Sequence, residues 1–465
     1  MRFDEKPVTA GEWLQVTFAG REIGRLQRDS QAVTDLSFRY DPAWIRSDRA
    51  FPISISMPLS DDPYQGDIVH PWFMNLLPEG RVALRAVGAA LKVNQLDVFA
   101  MLAAMGEDLP GALELRPPEA AAARKPRYRS LTDAELADAI RRLPARPLLV
   151  GEDGVHMSLA GAQEKLAVAQ LEDGSIGLAL DGAPSTHILK PANKHFHASV
   201  ENEAFCLRLA KAAGLPAAEV SVHAVEDIPY LLVKRYDRLR REGEYRRLHQ
   251  EDFCQALGVP PQLKYEWNSE LSQPGPTLDA CFSVLRKTRE AAANVRRFLD
   301  AVLFNILAGN VDAHAKNYSL LIGRGGATQL APLYDVMNGQ IYEGVTNNLA
   351  MKVAGRQRGR YIFGRHWIRF AEKNNLNATF VKRRVAELST AVLERLPSTI
   401  DEMDRSMMPS NVYGEIAGHI AGNCRNMISN LSDEHTSDHD AKADDADLDS
   451  EGEIETVTIS PFMPS

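Results

Sequence analysis

Cysteine is scarce in this chain. Four thiols in 465 residues (Cys206, Cys254, Cys281 and Cys424) form no CxxC pair and have no clustered histidines beside them. That pattern excludes a disulfide-stapled scaffold and a zinc ribbon, and points to reduced, buried thiols in a cytoplasmic protein. No apolar run reaches the ~18 residues of a membrane span. The charged start, Met1 to Lys6, lacks the apolar stretch of a signal peptide, so no membrane is expected. Neither G-x-x-x-x-G-K-[ST] nor G-x-G-x-x-G occurs, which removes the Walker-type and Rossmann readings. Coiled-coil, collagen-like and solenoid patterns are missing as well.

An excess of basic charge is also absent, but only on paper. The net charge is −9, yet residues 431–465 hold eleven Asp/Glu and one Lys, which leaves about +1 for everything before them. Acidity therefore says nothing against a basic patch on the folded body. This tail, with few large apolar residues before Ile454, is expected to be disordered.

A length of 465 residues implies two or three packed units. Alternation from Trp13 to Leu26 around Gly20 predicts a hairpin, and Phe51–Ser56 repeats it, so a small sheet is expected over 10–60. Helical periodicity follows from Trp72 to about Val93 and from Gln95 to Met105, and Ala112–Leu115 reads as a last strand. Residues 1–116 thus form a first, β-rich domain, and the Pro-, Ala- and base-rich stretch 117–130 reads as a linker. A helix capped by Thr132 or Asp133 comes next, then three short strands within 156–190, a helix over 199–214 and a buried strand over Tyr230–Val233. Residues 131–248 would complete an N-terminal lobe. Helices over 278–310, two strands at Tyr318–Ile322 and Gln329–Leu330, and helices after 364 predict a helical C-terminal lobe over 249–430. The fold class is α+β.

The chemistry concentrates in Gly309-Asn-Val-Asp-Ala-His-Ala-Lys-Asn-Tyr-Ser319, between an apolar helix and a strand. Asp312 and Asn317 are five apart, the spacing with which an aspartate can align a hydroxyl while an asparagine oxygen turns to Mg²⁺. Eighteen residues on, Asp335 follows a predicted strand and suits a second magnesium ligand. The bland alternative is a turn in which Asp312 and Asn317 bond local backbone. In the same loop, His314 reads as a structural hydrogen bonder or a chemical group, and Lys316 as a phosphoryl neutraliser or a solvated side chain. Lys190 ends an apolar strand and would face nucleotide phosphates, with Glu203 or Glu201 of the following helix as its partner. His156–Val168 reads as a strand-loop-strand hairpin. Its small turn residues Ala160, Gly161 and Ala162, with Ser158 and Gln163, suit a loop that covers phosphates. Leu232, Val233 and Lys234 are candidates for a hinge offering backbone bonds to adenine.

Taken in order, Ser158–Lys165, Thr186–Pro191, Val233–Arg238, His249–Gly258, Asn310–Asn317 and Leu330–Asp335 resemble motifs of the HipA family. Phe73–Gly80 and Gly106–Ala112 resemble that family's N-terminal subdomain, and the likeness runs over roughly residues 10–430. The resemblance implies a two-lobed protein-kinase-like fold and a serine/threonine kinase toxin of a toxin–antitoxin pair, associated with growth arrest and persistence. ATP and Mg²⁺ would be its cofactors and a helix-turn-helix antitoxin dimer its partner, through which it would meet operator DNA. It further implies Asp312 as catalytic aspartate, Asn317 and Asp335 as metal ligands, Lys190 on the ATP phosphates, and Ser158 as a self-silencing autophosphorylation site. A translation protein, such as an aminoacyl-tRNA synthetase, is the implied substrate class. A small-molecule or lipid kinase would use the same residues. A non-catalytic co-repressor is the other rival, with Lys352, Arg356, Arg358, Arg360 and Arg365 as its possible phosphate-backbone contacts.

Overall fold

The N-terminal hairpin forms because its two-residue turn, Ala19–Gly20, takes positive φ at both positions, which matches the right-handed twist of the flanking strands. A computed structural model of the protein describes residues 11–120, 125–161, 163–406 and 409–433. The acidic stretch after Asp433 and Ala162 of the small-residue loop lie outside these. Strands β1 (Trp13–Phe18), β2 (Arg21–Arg28), β3 (Leu36–Tyr40), β4 (Tyr64–Gln65) and β5 (Glu114–Arg116) form one sheet in the order β4-β3-β2-β1-β5. Helices α1 (Pro42–Ile45), α2 (Val69–Met74), α3 (Arg81–Leu91) and α4 (Val98–Met105) belong to the same domain.

Two expectations fail here for stated reasons. The helix read from Trp72 to Val93 is interrupted between α2 and α3, where Pro78 lacks an amide and Gly80 stands at φ 87°. Phe51–Ser56 is not a strand. Its amides are satisfied by side chains: Ile53 N donates to Tyr40 Oη at 2.8 Å and Ile55 N to Glu251 Oε1 at 2.8 Å. Its alternation records burial of Phe51 and Ile53, not a ladder.

The second sheet runs β10-β11-β9-β7-β8-β6, with β6 (Arg127–Ser130), β7 (Leu166–Gln170), β8 (Ile176–Leu180), β9 (His187–Pro191), β10 (Val220–Val225) and β11 (Ile228–Lys234). Arg127–Ser130, inside the stretch read as a linker, is thus an edge strand paired to β8. Helix α5 (Asp133–Arg142) starts with a capping box between Thr132 and Glu135. The hairpin read over His156–Val168 does not form. Instead Met157 bridges Asp108 and Gly161 bridges Pro78, so this segment leans on the N-terminal domain before β7 begins. One core joins that domain to one face of the second sheet, through Leu136, Leu166, Leu178 and Leu232.

The other core fills the helical lobe and takes Leu231 and Val233 from the opposite face of β11. Strands β12 (Arg238–Arg241) and β13 (Glu244–Arg247) form a hairpin after the second sheet. Next come β14 (His249–Asp252), α7 (Phe253–Leu257), a small hairpin β15 (Trp267–Asn268) and β16 (Gln273–Pro274), α8 (Leu278–Arg286) and α9 (Ala291–Ala308). Strand β17 (Ser319–Ile322) pairs with β14, and β18 (Thr328–Leu330) with β17. Helices α10 (Gly364–Lys373), α11 (Ala378–Ser406) and α12 (Val412–Asn430) follow. Helix α6 (Ser199–Ala212) crosses from the sheet to this lobe. Phe205 stacks on Tyr413 with centroids 5.8 Å apart, Arg208 pairs with Glu402 at 3.1 Å, and Asn202 donates to Asn338 O at 2.8 Å. Among the described residues no helix is long and apolar enough to cross a membrane.

Candidate active site

Helix α9 stops at Gly309, whose positive φ of 68° allows the turn, and the chain enters the loop Asn310–Asn317. Asn310 staples two loops together: its Nδ2 donates to Asn305 Oδ1 at 2.7 Å and to Asp335 O at 3.3 Å, while its Oδ1 accepts from Asp312 N at 3.2 Å. Asn317 Nδ2 donates to Asp312 O at 2.8 Å, which turns its Oδ1 away from that bond and leaves it as an acceptor facing the cleft. Asp335 stands after β18 at φ 56°, a left-handed conformation uncommon for a side-chain-bearing residue and often found at functional sites.

Lys190, near the end of β9, is buried. Its Nζ donates to both oxygens of Glu203 at 2.8 and 3.0 Å and to Asp335 Oδ1 at 2.7 Å. Burial works against its charge, but the Asp335 and Glu203 carboxylates outweigh that and hold the ammonium above its usual range. Asp335 is correspondingly held below the usual carboxylate range by Lys190. Asp312 is different. Burial raises its carboxyl to about 7, with Lys264 and the Tyr265 hydroxyl, 2.5 Å from Oδ1, pulling the other way. His314 is buried beside it, its ring edge-on to Tyr265 at 5.0 Å, and burial keeps the imidazole neutral.

These groups line one cleft together with Ala160, Gly161, Gln163, Val233, Lys234 and Lys316. Two expected members face elsewhere. Leu232 points into the core behind the sheet. Ser158 is fully buried, its Oγ donating to Leu76 O at 2.7 Å, so it does not line the cleft. The amides of Lys234 and Arg235 are taken by Glu219 O and Thr186 O, at 2.9 and 3.0 Å, so they are not free for a base. Lys316 is neither solvated nor poised over the cleft centre; it donates to Asp252 Oδ2 and Asn75 Oδ1, each at 2.6 Å. Of the basic cluster, Arg365 pairs with Asp433 at 2.9 Å, Arg356 bonds His366 and Arg358 bonds Asn348.

Several cleft residues escaped the sequence reading. Lys165 reaches back to Ala160 O at 2.6 Å, and burial and Lys190 lower it to about 8. Lys264 donates to Glu79 Oε2 at 2.8 Å. Asn75, Glu79, Lys165 and Asp252 all lie inside segments already singled out as motifs, so a signal existed. Lys264 and Tyr265 lie in none.

Comparisons with known proteins place the chain in a family. A model described as HipA N-terminal domain matches residues 14–116, and one described as HipA-like C-terminal domain matches 157–399, just over half of the chain. The chain belongs to the HipA family. Its kinship is with serine/threonine protein kinases. A relative named "Putative kinase Y4mE", from Sinorhizobium fredii, is 37% identical over 84% of this chain and 92% of its own length. "Serine/threonine-protein kinase toxin HipA" of Shewanella oneidensis is 30% identical over 83% of this chain and 90% of its own. A solved structure, the Shewanella oneidensis HipA, HipB and operator DNA complex, superimposes with a TM-score of 0.80 at 26% identity, covering 90% of this chain and 99% of that one.

Proposed function

We propose that this HipA-family kinase uses ATP and Mg²⁺ to phosphorylate a serine or threonine of a translation-related protein, and thereby arrests growth as the toxin of a toxin–antitoxin pair. The observation that carries the reading is the convergence of the Lys190–Glu203 pair with Asp312, Asn317 and Asp335 on one cleft. The residues fit the cofactors. Ile188, Ala218, Val233 and Met337 give the cleft apolar lining for a base, and Gly161 of the small-residue loop, at φ 98°, lines the same cleft as the charged groups. Asn317 Oδ1 and the Asp335 carboxylate are the hard oxygens magnesium prefers. Bound there, the metal and nucleotide supply a phosphoryl group whose charge is neutralised for transfer.

The chain's own residues do the positioning. Lys190, oriented by Glu203, holds phosphate oxygens. Asp312 accepts the proton of the substrate hydroxyl, a role suited by a carboxyl raised towards neutrality. The amides of Lys234 and Arg235 are engaged, so neither would donate to a base. Burial of Ser158 against Leu76 O supports its role as a self-silencing site: a phosphate there brings about −1.5 to −2 charges into a space without solvent, so the loop must leave. The Shewanella complex supports a HipB-like antitoxin as partner, with operator DNA reached mainly through it.

Intact mass and peptide mapping before and after incubation with Mg²⁺ and ATP test the proposal. Phosphate should appear on Ser158 in the wild type and not in Asp312→Ala. ATP binding without any phosphorylation of protein would favour a small-molecule kinase instead.

A further inference from the structure

The cleft is not built by the kinase lobes alone. Asn75 and Glu79, from the segment between α2 and α3 of the N-terminal domain, reach into it. Glu79 meets the cleft three times. Its amide donates to Gly161 O in the small-residue loop at 3.3 Å. Its carboxylate pairs with Lys264 at 2.8 Å and lies 3.8 Å from Lys316. All three residues are nearly inaccessible, Glu79 at 5%, Lys264 at 4% and Lys316 at 6%. Lys316 completes its shell with Asp252 and Asn75, so two lysines and two carboxylates form a neutral buried group. Next in the chain after Lys264 stands Tyr265, whose hydroxyl bonds Asp312. Ala315 N, within the catalytic loop, donates to Lys264 O at 3.1 Å. Lys264 is therefore tied to the N-terminal domain by its side chain and to the catalytic loop by its backbone and its neighbour.

We propose that Glu79 is a positioning residue of the phosphotransfer centre: its carboxylate anchors Lys264 and, through the Lys264–Tyr265 segment, fixes where Asp312 points. The N-terminal domain completes the centre rather than only covering it. This inference rests on the kinase reading above. The physical reason is that a buried ammonium deprived of its carboxylate either loses its proton or moves to find another anion. Among the nearby carboxylates is that of Asp312, which already feels Lys264. Nucleotide affinity depends on Lys190 and Glu203, which Glu79 does not touch.

The test compares Glu79→Gln with Ser54→Ala in the full-length protein. Ser54 also joins the N-terminal domain to the rest, through Glu251 at 2.6 Å, but touches no cleft residue. Glu79→Gln should lower kcat about 10- to 100-fold, as a small displacement of a catalytic group does, while KM for ATP stays within about threefold of wild type. Ser54→Ala should leave kcat unchanged while lowering the melting temperature. Lys264→Gln should match Glu79→Gln, and the double variant should be no worse than either, since the two act as a unit. A kcat within twofold of wild type in a folded Glu79→Gln, or equal losses in Glu79→Gln and Ser54→Ala, would overturn the proposal. Should Glu79→Gln not fold, Lys264→Gln carries the same kinetic comparison. A second readout needs no catalysis: reaction of Lys264 with acetic anhydride, followed by peptide mass spectrometry. Labelling should rise several-fold in Glu79→Gln and stay at the wild-type level in Ser54→Ala; no rise sinks the inference. A wild type that transfers no phosphate, yet shows this labelling pattern, would count against the kinase reading and leave the Glu79 anchor standing.

Discussion

The cleft has two charged clusters, and they are built in opposite ways. Around Lys190, one ammonium is shared between Glu203, thirteen residues away, and Asp335, whose side chain is 40% exposed and open to the cleft. Around Glu79, two ammonium groups and two carboxylates, all nearly inaccessible to solvent, neutralise one another across 185 and 64 residues of sequence. The first has an exchangeable partner: in the proposed reaction Lys190 would give up Asp335 to a phosphate while keeping Glu203. The second has no exchangeable member, so its work is to hold geometry. A buried pair of the second kind is weak evidence for stability but a strong constraint on position.

Breaking the centre between the clusters should have the largest effect. Asp312→Asn should cost at least about 10³-fold in kcat while raising the melting temperature at neutral pH, because it removes a carboxylate whose ionisation burial opposes. A stable but fully active variant would refute the catalytic assignment. Lys190→Met comes next. It should weaken ATP affinity strongly, measured by calorimetry, and leave Glu203 buried without its cation, a loss of about 3–5 kcal/mol by urea unfolding. Unchanged stability would mean that Glu203 takes up a proton, and would blur the contrast between the clusters.

Glu251 sharpens the comparison through pH. It joins the N-terminal domain to β14, accepting from Ser54 Oγ, Ile55 N and Trp72 Nε1, and burial raises its carboxyl to about 7. A raised carboxyl means the folded chain binds the proton that the unfolded chain releases near pH 4.5. Stability from this group is therefore full below that value and is lost as pH rises through about 7, by up to about 3 kcal/mol. Urea unfolding of wild type and Glu251→Gln across pH 5 to 8 should show a shallower slope in the variant, Asp312, raised to the same range, keeping part of it in both. The smallest effect is expected at Gly161→Ala. A Cβ there would meet Lys165 Nζ at 2.4 Å, which can swing aside, but φ 98° remains unfavourable. About 1 kcal/mol of strain should appear as a few-fold rise in KM for ATP, with kcat little changed.

The same contrast explains what the sequence disclosed. Lys190 and Glu203 sit on neighbouring elements, and Asp312, Asn317 and Asp335 lie in two loops separated only by a short hairpin, so local pattern and family likeness reach them. Lys264 and Tyr265 belong to a segment without periodicity, and their importance comes from contacts with Glu79 and Asp312 that only tertiary packing creates. Period-2 alternation gave β1 and β2 but misled at Phe51–Ser56, where side chains of Tyr40 and Glu251 replace a neighbouring strand. Ser158 carries a hydroxyl in a loop of small residues, and nothing in that pattern tells that it faces Leu76 instead of the cleft.

Helix α6 carries Glu203, and its other faces are spoken for: Phe205 lies flat against Tyr413 of α12, Arg208 grips Glu402 of α11 and Asn202 is bonded to Asn338. A lever so bolted at three points does not swing. Turning the enzyme on and off by rotating this helix, and with it the lysine–glutamate pair, would mean unpacking the helical core itself. Any switch that spares that packing would have to act through the loops over the cleft.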